Sequence, residues 1–229
     1  MNSFVSKTLL AVFALTAAPA FADTLAFDYA GGGTTGNFLA SIGVPSGIGT
    51  EGYEFALSQS TTVTGLAVWD QGGDGLATSH TVEIFANGAP GASNIVATIP
   101  AGTAAPLVNG FRVFTLATPV VLPAFTDYYL GAFYSGTQDA MAWSVPDTSL
   151  TLNNGFGWTR DFASDQSKFS TTTSGIAFPT GNGGRSRGVI GGNFLIGSAV
   201  PEPATISLLG VAGLVGAAGY FRRRSKAKA

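Results

Sequence analysis

The sequence predicts an all-β ectodomain, folded as an antiparallel β-sandwich, followed by one C-terminal transmembrane helix. Between Asp23 and Gly197, short runs of β-branched and aromatic residues are separated by clusters of Gly, Asn, Asp and Pro. These runs recur about every ten to fifteen residues, which is typical of the strands of a sandwich. Helical periodicity is missing from this part, whereas residues 204–221 form an uncharged apolar stretch.

The strand predictions depend on the alternation of apolar and polar residues. The pattern is clearest in Thr81–Ala86, where Val82, Ile84 and Ala86 share one face, and in Tyr128–Phe133. One buried face per strand is typical of antiparallel sheets, and strands at this spacing favour a jelly-roll-like sandwich. The predicted strands are Leu25–Tyr29, Tyr53–Leu57, Thr62–Trp69, His80–Ala86, Ile95–Ile99, Phe111–Leu116, Tyr128–Tyr134, Met141–Val145 and Val189–Ile196.

The N-terminal segment, residues 1–22, has the organisation of a secretory signal peptide. Its only charge is Lys7, an apolar run follows from Thr8 to Ala18, and an Ala-Phe-Ala tripeptide ends the segment. We therefore predict export and cleavage between Ala22 and Asp23. An uncleaved anchor or a buried N-terminal helix is the alternative, although the apolar run is short for a membrane span.

The composition of the predicted ectodomain, residues 23–199, limits its chemistry. The segment is long enough for one domain with a substantial core. It has 12 acidic and 5 basic residues, a net charge of −7, which disfavours nucleic-acid binding and favours bound cations. The chain has no cysteine, which excludes disulfides, zinc–thiolate sites and nucleophilic cysteine.

Residues 200–229 contain three features in a fixed order: an extended tripeptide, an apolar span and a basic tail. As a helix, residues 204–221 would reach roughly 27 Å, close to the ~30 Å hydrocarbon core. Positive charge is retained on the cytoplasmic side, so the tail at 222–229 lies inside and the ectodomain outside. The residues that define these features are Val200, Pro201, Glu202 and Pro203 before the span, and Arg222, Arg223 and Arg224 after it.

This order resembles the PEP-CTERM sorting signal of Gram-negative bacteria. The resemblance implies recognition by exosortase, a membrane protease-transpeptidase, with cleavage close to Pro201–Pro203. It also implies a transient inner-membrane intermediate, followed by passage to the cell surface or to the extracellular exopolysaccharide matrix. The two prolines fix φ and remove two N–H donors, so the tripeptide stays extended and accessible. A plain single-pass anchor with a proline-rich neck is the alternative.

The middle of the chain, from Thr64 to Tyr134, resembles an uncharacterised exported β-sandwich domain that PEP-CTERM proteins often carry. That domain is similar to jelly-roll modules, including carbohydrate-binding ones, and it implies no established activity. The resemblance depends on Trp69-Asp70, Asp74-Gly75-Leu76, Ser79-His80, Ala101-Gly102-Thr103, Gly110-Phe111-Arg112 and Pro119-Val120-Val121-Leu122.

Asp70 and Asp74 stand four residues apart in a glycine-rich loop and are candidate ligands for Ca²⁺. The pattern departs from an EF-type loop, because Gly72 takes the middle position and no glutamate follows at the twelfth. The alternative is an ordinary connection, in which glycine supplies positive φ and aspartate caps its own backbone. Apart from this metal, we expect no cofactor.

The sequence predicts no catalytic residue. His80 could act as a base with a nearby aspartate, but no Gly-x-Ser-x-Gly elbow accompanies it, and a strand-end histidine hydrogen-bonded to a loop is the alternative. A secreted carbohydrate-active hydrolase is the competing hypothesis, because a pair of carboxylates could flank a glycosidic bond. The carboxylates available to it are Asp139, Asp147, Asp161 and Asp165.

Exposed aromatic side chains hold sugars in many non-catalytic modules. Trp158 lies in the loop-like segment Asn153–Asp161, and Trp143 is a second candidate for glycan binding. Trp69 lies inside a predicted strand, so we expect it in the core. The sequence thus indicates a non-enzymatic exported protein with a structural, adhesive or glycan-binding role.

Overall fold

The computed structural model describes residues 23–44, 46–86, 95–153, 167–182 and 189–197. Within them the chain is almost entirely β, with one short helix at Phe38–Ser41 (α1) and a 3₁₀ turn at Asp147–Ser149. The predicted all-β fold class is confirmed at this level. None of the helices in this part of the chain has the length and apolar character needed to cross a membrane. The predicted signal peptide and the predicted helix at 204–221 lie outside the described residues.

Two large antiparallel sheets account for most of the strands. Sheet I has five strands in the order β1-β16-β5-β9-β8, and sheet II has six in the order β14-β13-β4-β10-β6-β7. Smaller sheets, β15-β11-β3 and β12-β2, lie beside them. The strands are β1 Thr24–Leu25, β2 Phe27–Tyr29, β3 Thr34–Gly36, β4 Ile48–Ala56, β5 Thr61–Trp69, β6 His80–Ala86, β7 Ile95–Ile99, β8 Leu107–Val108, β9 Phe111–Leu122, β10 Asp127–Ser135, β11 Met141–Trp143, β12 Leu150–Leu152, β13 Ser167–Ser170, β14 Gly181–Asn182, β15 Val189–Ile190 and β16 Gly192–Gly197.

Strand β10 is the centre of sheet II. It pairs with β4 without interruption from Asp127 opposite Ala56 to Ser135 opposite Ile48. On its other side it pairs with β6, where Leu130 lies opposite Ile84. Because side chains alternate between faces, this register puts the apolar residues of three neighbouring strands on one buried surface.

Aromatic side chains join the two large sheets. Phe55 of sheet II stacks on Phe194 of sheet I, with ring centroids 5.3 Å apart. Phe27 lies between the sheets and makes edge contacts with Tyr53 at 6.0 Å and with Phe111 at 6.1 Å. All five rings are fully buried. Burial of large rings in this geometry contributes strongly to stability, which this cysteine-free chain cannot obtain from disulfides.

The chain changes sheets at two points where the sequence predicted continuous strands. The predicted strand Leu25–Tyr29 divides at Ala26, with β1 in sheet I and β2 in a small sheet. The predicted strand Val189–Ile196 divides in the same way at Gly191. Gly191 packs directly against the Tyr134 hydroxyl, where a β-carbon would overlap with the phenol. Close packing therefore requires glycine at this corner.

Strand β9 is longer than predicted. The prediction ended at Leu116, whereas the strand continues to Leu122. Pairing with β5 shifts register between Val63 and Gly65, so β9 bulges where it carries Pro119. A bulge tolerates a proline, because the missing N–H is not needed for the ladder there.

Several short elements were not predicted. Helix α1 has four residues, too few for a periodic pattern, and it buries Phe38 and Leu39. Its start is set by Asn37, whose side-chain oxygen accepts a hydrogen bond from Ala40 N at 2.9 Å. The other unpredicted elements are the strands β3, β8, β12, β13 and β14.

We predict that Gly52→Ala destabilises the protein by about 3 kcal/mol, because close overlap in a packed interior forces the backbone to move. Gly52 lies opposite Gly131 in the centre of sheet II, and an added β-carbon would overlap with the carbonyl oxygen of Leu130. Urea unfolding followed by fluorescence measures the change.

The matched control is Gly136→Ala, whose β-carbon meets only the mobile end of the Gln138 side chain, at 2.6 Å. The control should unfold like the wild type. Equal stability of the two variants would contradict the proposed close approach of β4 and β10.

Candidate functional site

A cleft of about 240 Å³ opens at one end of the sandwich, where the β5–β6 loop meets the β10–β11 loop. We call it the loop cleft. Its walls are mainly polar, and the side chains that line it include Trp69, Gln71, Asp74, Gln138 and Asp139. The predicted metal-binding loop and one of the predicted hydrolase carboxylates therefore meet in one place.

Asp70 forms the floor of the cleft through an ion pair with Arg112. The Nε of Arg112 donates to Asp70 Oδ2 at 2.7 Å, and both side chains are almost completely buried. Gly75 N also donates to the carboxylate, at 3.1 Å from Oδ2. Positive φ at Gly72, Gly73 and Gly75 lets the loop fold back over Asp70.

Arg112 also fixes a second loop. Its terminal nitrogens donate to the carbonyl oxygens of Gly73 at 2.8 Å, Ala105 at 3.0 Å and Thr103 at 3.3 Å. A guanidinium carries five N–H donors in a rigid plane, so one side chain can hold several backbone carbonyls at once. This arginine therefore shapes the loop between β5 and β6 and the loop between β7 and β8.

The candidate Ca²⁺ ligands have different surroundings. Asp70 is buried and hydrogen-bonded to Arg112, whereas Asp74 is exposed at the mouth of the loop cleft. Among the residues that the structure describes, no three or more His, Cys, Asp or Glu side chains are grouped to hold a metal ion. Calcium binding by this loop stays a prediction, and the visible role of Asp70 is to orient Arg112 and the loop backbone.

Asp139 ties the two loops of the cleft together. Its Oδ1 accepts from Ala77 N at 2.8 Å, and its Oδ2 accepts from Thr78 N at 3.0 Å and from His80 Nε2 at 2.9 Å. Burial alone would raise the pKa of Asp139, but these hydrogen bonds outweigh it and lower the pKa to about 2. The side chain is a carboxylate throughout the neutral range.

His80 lies behind Asp139, fully buried at the start of β6. Its Nδ1 is 2.9 Å from the carbonyl oxygen of Phe133, and its Nε2 faces Asp139. The imidazole also packs against the ring of Tyr134, with centroids 4.5 Å apart. These contacts give His80 a structural role in the described site.

A further buried acid lies deeper in the same region. Glu51 of β4 is fully buried, and among the described residues its nearest donor is the Leu39 backbone, which falls short of full hydrogen-bond geometry. Burial raises the pKa of Glu51 well above its usual value, with a smaller opposing contribution from the Leu39 backbone. Burial likewise raises the pKa of Tyr134, and the charges of Glu51 and Asp139 add to that effect.

Of the two tryptophans predicted to bind glycan, Trp143 is buried and Trp158 lies outside the described residues. Trp143 belongs to β11, is 7% exposed, and packs edge-on against Phe38 at 5.7 Å. A side chain this buried does not present an open ring face to a sugar. Trp158 lies outside the described residues, as do Asp161 and Asp165, and the side chain of Asp147 is likewise not described.

Trp69, by contrast, is only partly buried. It packs edge-on against Tyr29 with ring centroids 5.3 Å apart, and its remaining surface lines the loop cleft. The expectation that Trp69 lies in the core is met in part, because its ring packs against the core while β5 ends there and leaves one side open to the cleft.

Sequence reasoning missed Arg112 and Glu51 as site residues. Both stand at strand positions, where a charged side chain requires either a partner or a shifted pKa. Extending the alternation backwards from Phe55 through Tyr53 puts Glu51 on the buried face, so a signal was present. The partner of Arg112 was not visible, because Asp70 is 42 residues away in the sequence.

We predict that Asp139→Asn lowers the free energy of unfolding at pH 7 by roughly 2 kcal/mol, because a neutral amide replaces the charged acceptor of the bonds from Ala77 N, Thr78 N and His80 Nε2. The folded-state pKa of Asp139 is lowered from 3.8 to about 2, so its contribution is present above about pH 4 and is lost as the pH falls towards 2. The difference between wild type and variant should therefore shrink over that range in urea unfolding curves.

Asp74→Asn is the matched control, because it neutralises an exposed carboxylate of the same cleft. We expect this variant to unfold like the wild type at each pH. A gap between wild type and Asp139→Asn that stays constant from pH 7 to pH 2 would contradict the stabilising role of the Asp139 carboxylate.

The comparison with known proteins concerns the C-terminal part of the chain. Residues 199–224 match the family model described as the PEP-CTERM protein-sorting motif. No curated protein matches the sequence significantly. The matched segment covers the tripeptide at Pro201–Pro203, the apolar stretch and the arginines up to Arg224. It implies export to the surface or exterior of the cell, with exosortase as the processing partner. The chain therefore carries the PEP-CTERM protein-sorting motif at residues 199–224.

Proposed function

We propose that this chain is a non-enzymatic protein of the cell surface or extracellular matrix, cleaved by exosortase and holding a glycan in the loop cleft. The sorting motif at residues 199–224 is the observation that carries the proposal. The signal peptide at 1–22 would direct export, with cleavage between Ala22 and Asp23. The apolar stretch at 204–221 would then anchor the chain in the inner membrane until exosortase acts.

The charge pattern supports this route. Arg222, Arg223 and Arg224 follow the apolar stretch and would hold the tail on the cytoplasmic side. Pro201 and Pro203 would keep the cleavage region extended outside the membrane, since a proline-rich segment does not join the helix. A single cleavage close to this tripeptide would then separate the ectodomain from the apolar stretch at 204–221.

We predict that replacing Pro201, Glu202 and Pro203 together by alanine abolishes C-terminal processing. Without the prolines, the helix proposed for residues 204–221 can extend into the tripeptide that exosortase would recognise. Mass spectrometry of the protein from its native cell should find the wild type without the Arg222 tail and the variant with it. Ser225→Ala, in the tail, is the control and should be processed normally. Mature wild-type protein with an intact tail would contradict cleavage.

The shape of the ectodomain supports a binding role. Two facing antiparallel sheets fit a jelly-roll-like sandwich, a class in which loops at one end form ligand sites. The loop cleft offers the partly exposed indole of Trp69 beside the amides of Gln71 and Gln138 and the carboxylate of Asp74. Sugars combine apolar C–H faces with many hydroxyls, so an aromatic edge flanked by amides and an acid suits them.

The surroundings of the carboxylates favour binding over hydrolysis. A glycosidase needs one carboxylic acid whose raised pKa keeps it protonated near neutral pH. Asp139 has the opposite shift, because three backbone and side-chain donors stabilise its charged form. Asp70 is held by Arg112 and lies beneath the loop. Neither of these acids is placed to protonate a leaving group.

We predict that Gln71→Ala combined with Gln138→Ala weakens retention on the exopolysaccharide of the producing cell about tenfold, which corresponds to losing about 1.4 kcal/mol of binding free energy. Co-sedimentation with purified polysaccharide measures the effect. Both side chains are exposed, so the fold should not change.

The matched control is Gln59→Ala, an exposed glutamine in the turn at the opposite end of the sandwich. It should bind like the wild type. Equal retention of the double variant and the control would remove the loop cleft as the glycan site.

A further inference from the structure

The chain enters and leaves the sandwich at the end opposite the loop cleft. Gly197, the last residue of β16, pairs with Thr62 of β5, and Thr62 pairs with Val121 of β9. Thr24 pairs with Ile196, so the start of the ectodomain lies at the same end. Because neighbouring strands are about 4.8 Å apart, Val121 is only about 10 Å from the point where the chain leaves.

Exposed apolar side chains concentrate beside this exit. Phe125, in the turn after β9, is 79% exposed, and Val121 is 59% exposed. The turn Leu57–Ser60 lies next to them, since Phe125 N donates to Leu57 O at 2.8 Å. We call residues 57–60 and 121–126 the exit tip.

The backbone holds Phe125 outwards. Its φ is +56°, a left-handed conformation that a bulky aromatic residue rarely adopts. Two contacts support this conformation: the bond from Phe125 N to Leu57 O, and a bond from the Tyr128 hydroxyl to Pro123 O at 3.0 Å. The hydrogen-bonded turn thus holds a large apolar ring in solvent, where the ring adds nothing to the packing of the hydrophobic core.

The chain between the sandwich and the apolar stretch is short. From Gly197 to Ala204 there are seven peptide units, which span at most about 25 Å when fully extended. While residues 204–221 are inserted in a bilayer, Gly197 cannot move farther than this from the membrane surface, and Val121 of the exit tip cannot move farther than about 35 Å. A tether of this length raises the effective concentration of the tip at the surface.

We propose that the exit tip contacts the lipid surface while the protein is anchored, with Phe125 and Val121 entering the interface between headgroups and acyl chains. This rests on the proposed function, because it requires the anchored intermediate. Apolar and aromatic side chains favour that interface. Asp23 and Asp127 stand beside the tip, so attraction to anionic headgroups contributes nothing and apolar contact carries the interaction.

The contact would position the tripeptide at Pro201–Pro203. With the sandwich resting on the surface through its exit tip, the seven-residue connection cannot extend away from the bilayer. With both ends of the connection near the bilayer, the tripeptide stays within about 12 Å of the headgroups, half of the extended length, where a membrane-embedded protease can reach it. The exit tip acts as a spacer that fixes the height of the cleavage region.

The absence of cysteine allows a direct test with single-cysteine reporters. The full chain is purified from cells without exosortase, so that residues 204–229 are retained, and is incorporated into vesicles of phosphatidylethanolamine and phosphatidylglycerol. Gln59→Cys places a fluorescent label on the exit tip without changing an apolar residue, and Gln71→Cys places it at the opposite end. Quenching by headgroup spin labels then reports proximity to lipid.

We expect quenching of about half of the emission at Gln59 and little at Gln71, as for a surface held in the interface. Adding Phe125→Ser and Val121→Ser should remove the quenching at Gln59, while the protein still floats with the vesicles. Phe114→Ser, at an exposed phenylalanine in the middle of β9, is the matched control and should leave it unchanged.

Three outcomes overturn the proposal. Protein that floats with the vesicles but shows equal, weak quenching at both positions keeps its anchor and lacks the tip contact. Quenching that appears only in vesicles containing exosortase assigns the tip to a protein partner. Protein that does not float at all contradicts the anchored intermediate of the proposed function, and the tip contact with it.

Discussion

The packing of aromatic rings between the two large sheets is the interaction on which the rest of the structure depends. Phe55 against Phe194 and Phe27 against Tyr53 and Phe111 connect strands that make no hydrogen bonds to one another. Without cysteine, the chain has no disulfide between the sheets, so this burial sets their separation and angle. The loops at both ends join strands of the two sheets, so their positions depend on this packing. The loop cleft and the exit tip therefore both require an intact core.

The two ends of the sandwich use different chemistry. At the loop cleft, buried charges are paired and hydrogen-bonded to backbone groups, which gives fixed loops around a polar, open surface. At the exit tip, backbone hydrogen bonds hold apolar side chains in solvent. This polarity fits a protein whose exit end faces a membrane during sorting and whose other end faces outward. Under the proposed function, the same division would leave the loops of the cleft free after the sorting segment is removed.

The sequence indicated the all-β class correctly because alternation is a local property, and the strands His80–Ala86 and Ile95–Ile99 have the predicted bounds. Local pattern could not show that Ala26 and Gly191 are points where the chain changes sheets, since this depends on distant partners. Pro119 concealed the continuation of β9, because a bulge was needed to accommodate it. The sorting motif was identified from sequence because it consists of consecutive residues and does not depend on contacts between distant parts of the chain. Arg112 was missed because its role in the site depends on its ion pair with Asp70, and the two residues are brought together only by folding.

Glu51 connects folding with proton uptake. In the unfolded chain this side chain is a carboxylate at neutral pH, whereas the folded interior favours the uncharged acid. The contribution of Glu51 to stability therefore grows as the pH falls through its raised folded-state pKa, and it stops growing below the usual value near 4.5. Asp139 acts in the opposite sense, since its charged form belongs to the folded state. Both acids lie close enough to Tyr134 for their charges to raise its pKa. Their effects on stability fall in different pH ranges, because the contribution of Glu51 changes above about pH 4.5 and that of Asp139 changes between about pH 4 and pH 2. Mild acid therefore favours the folded state through Glu51, and only strong acid removes the contribution of Asp139.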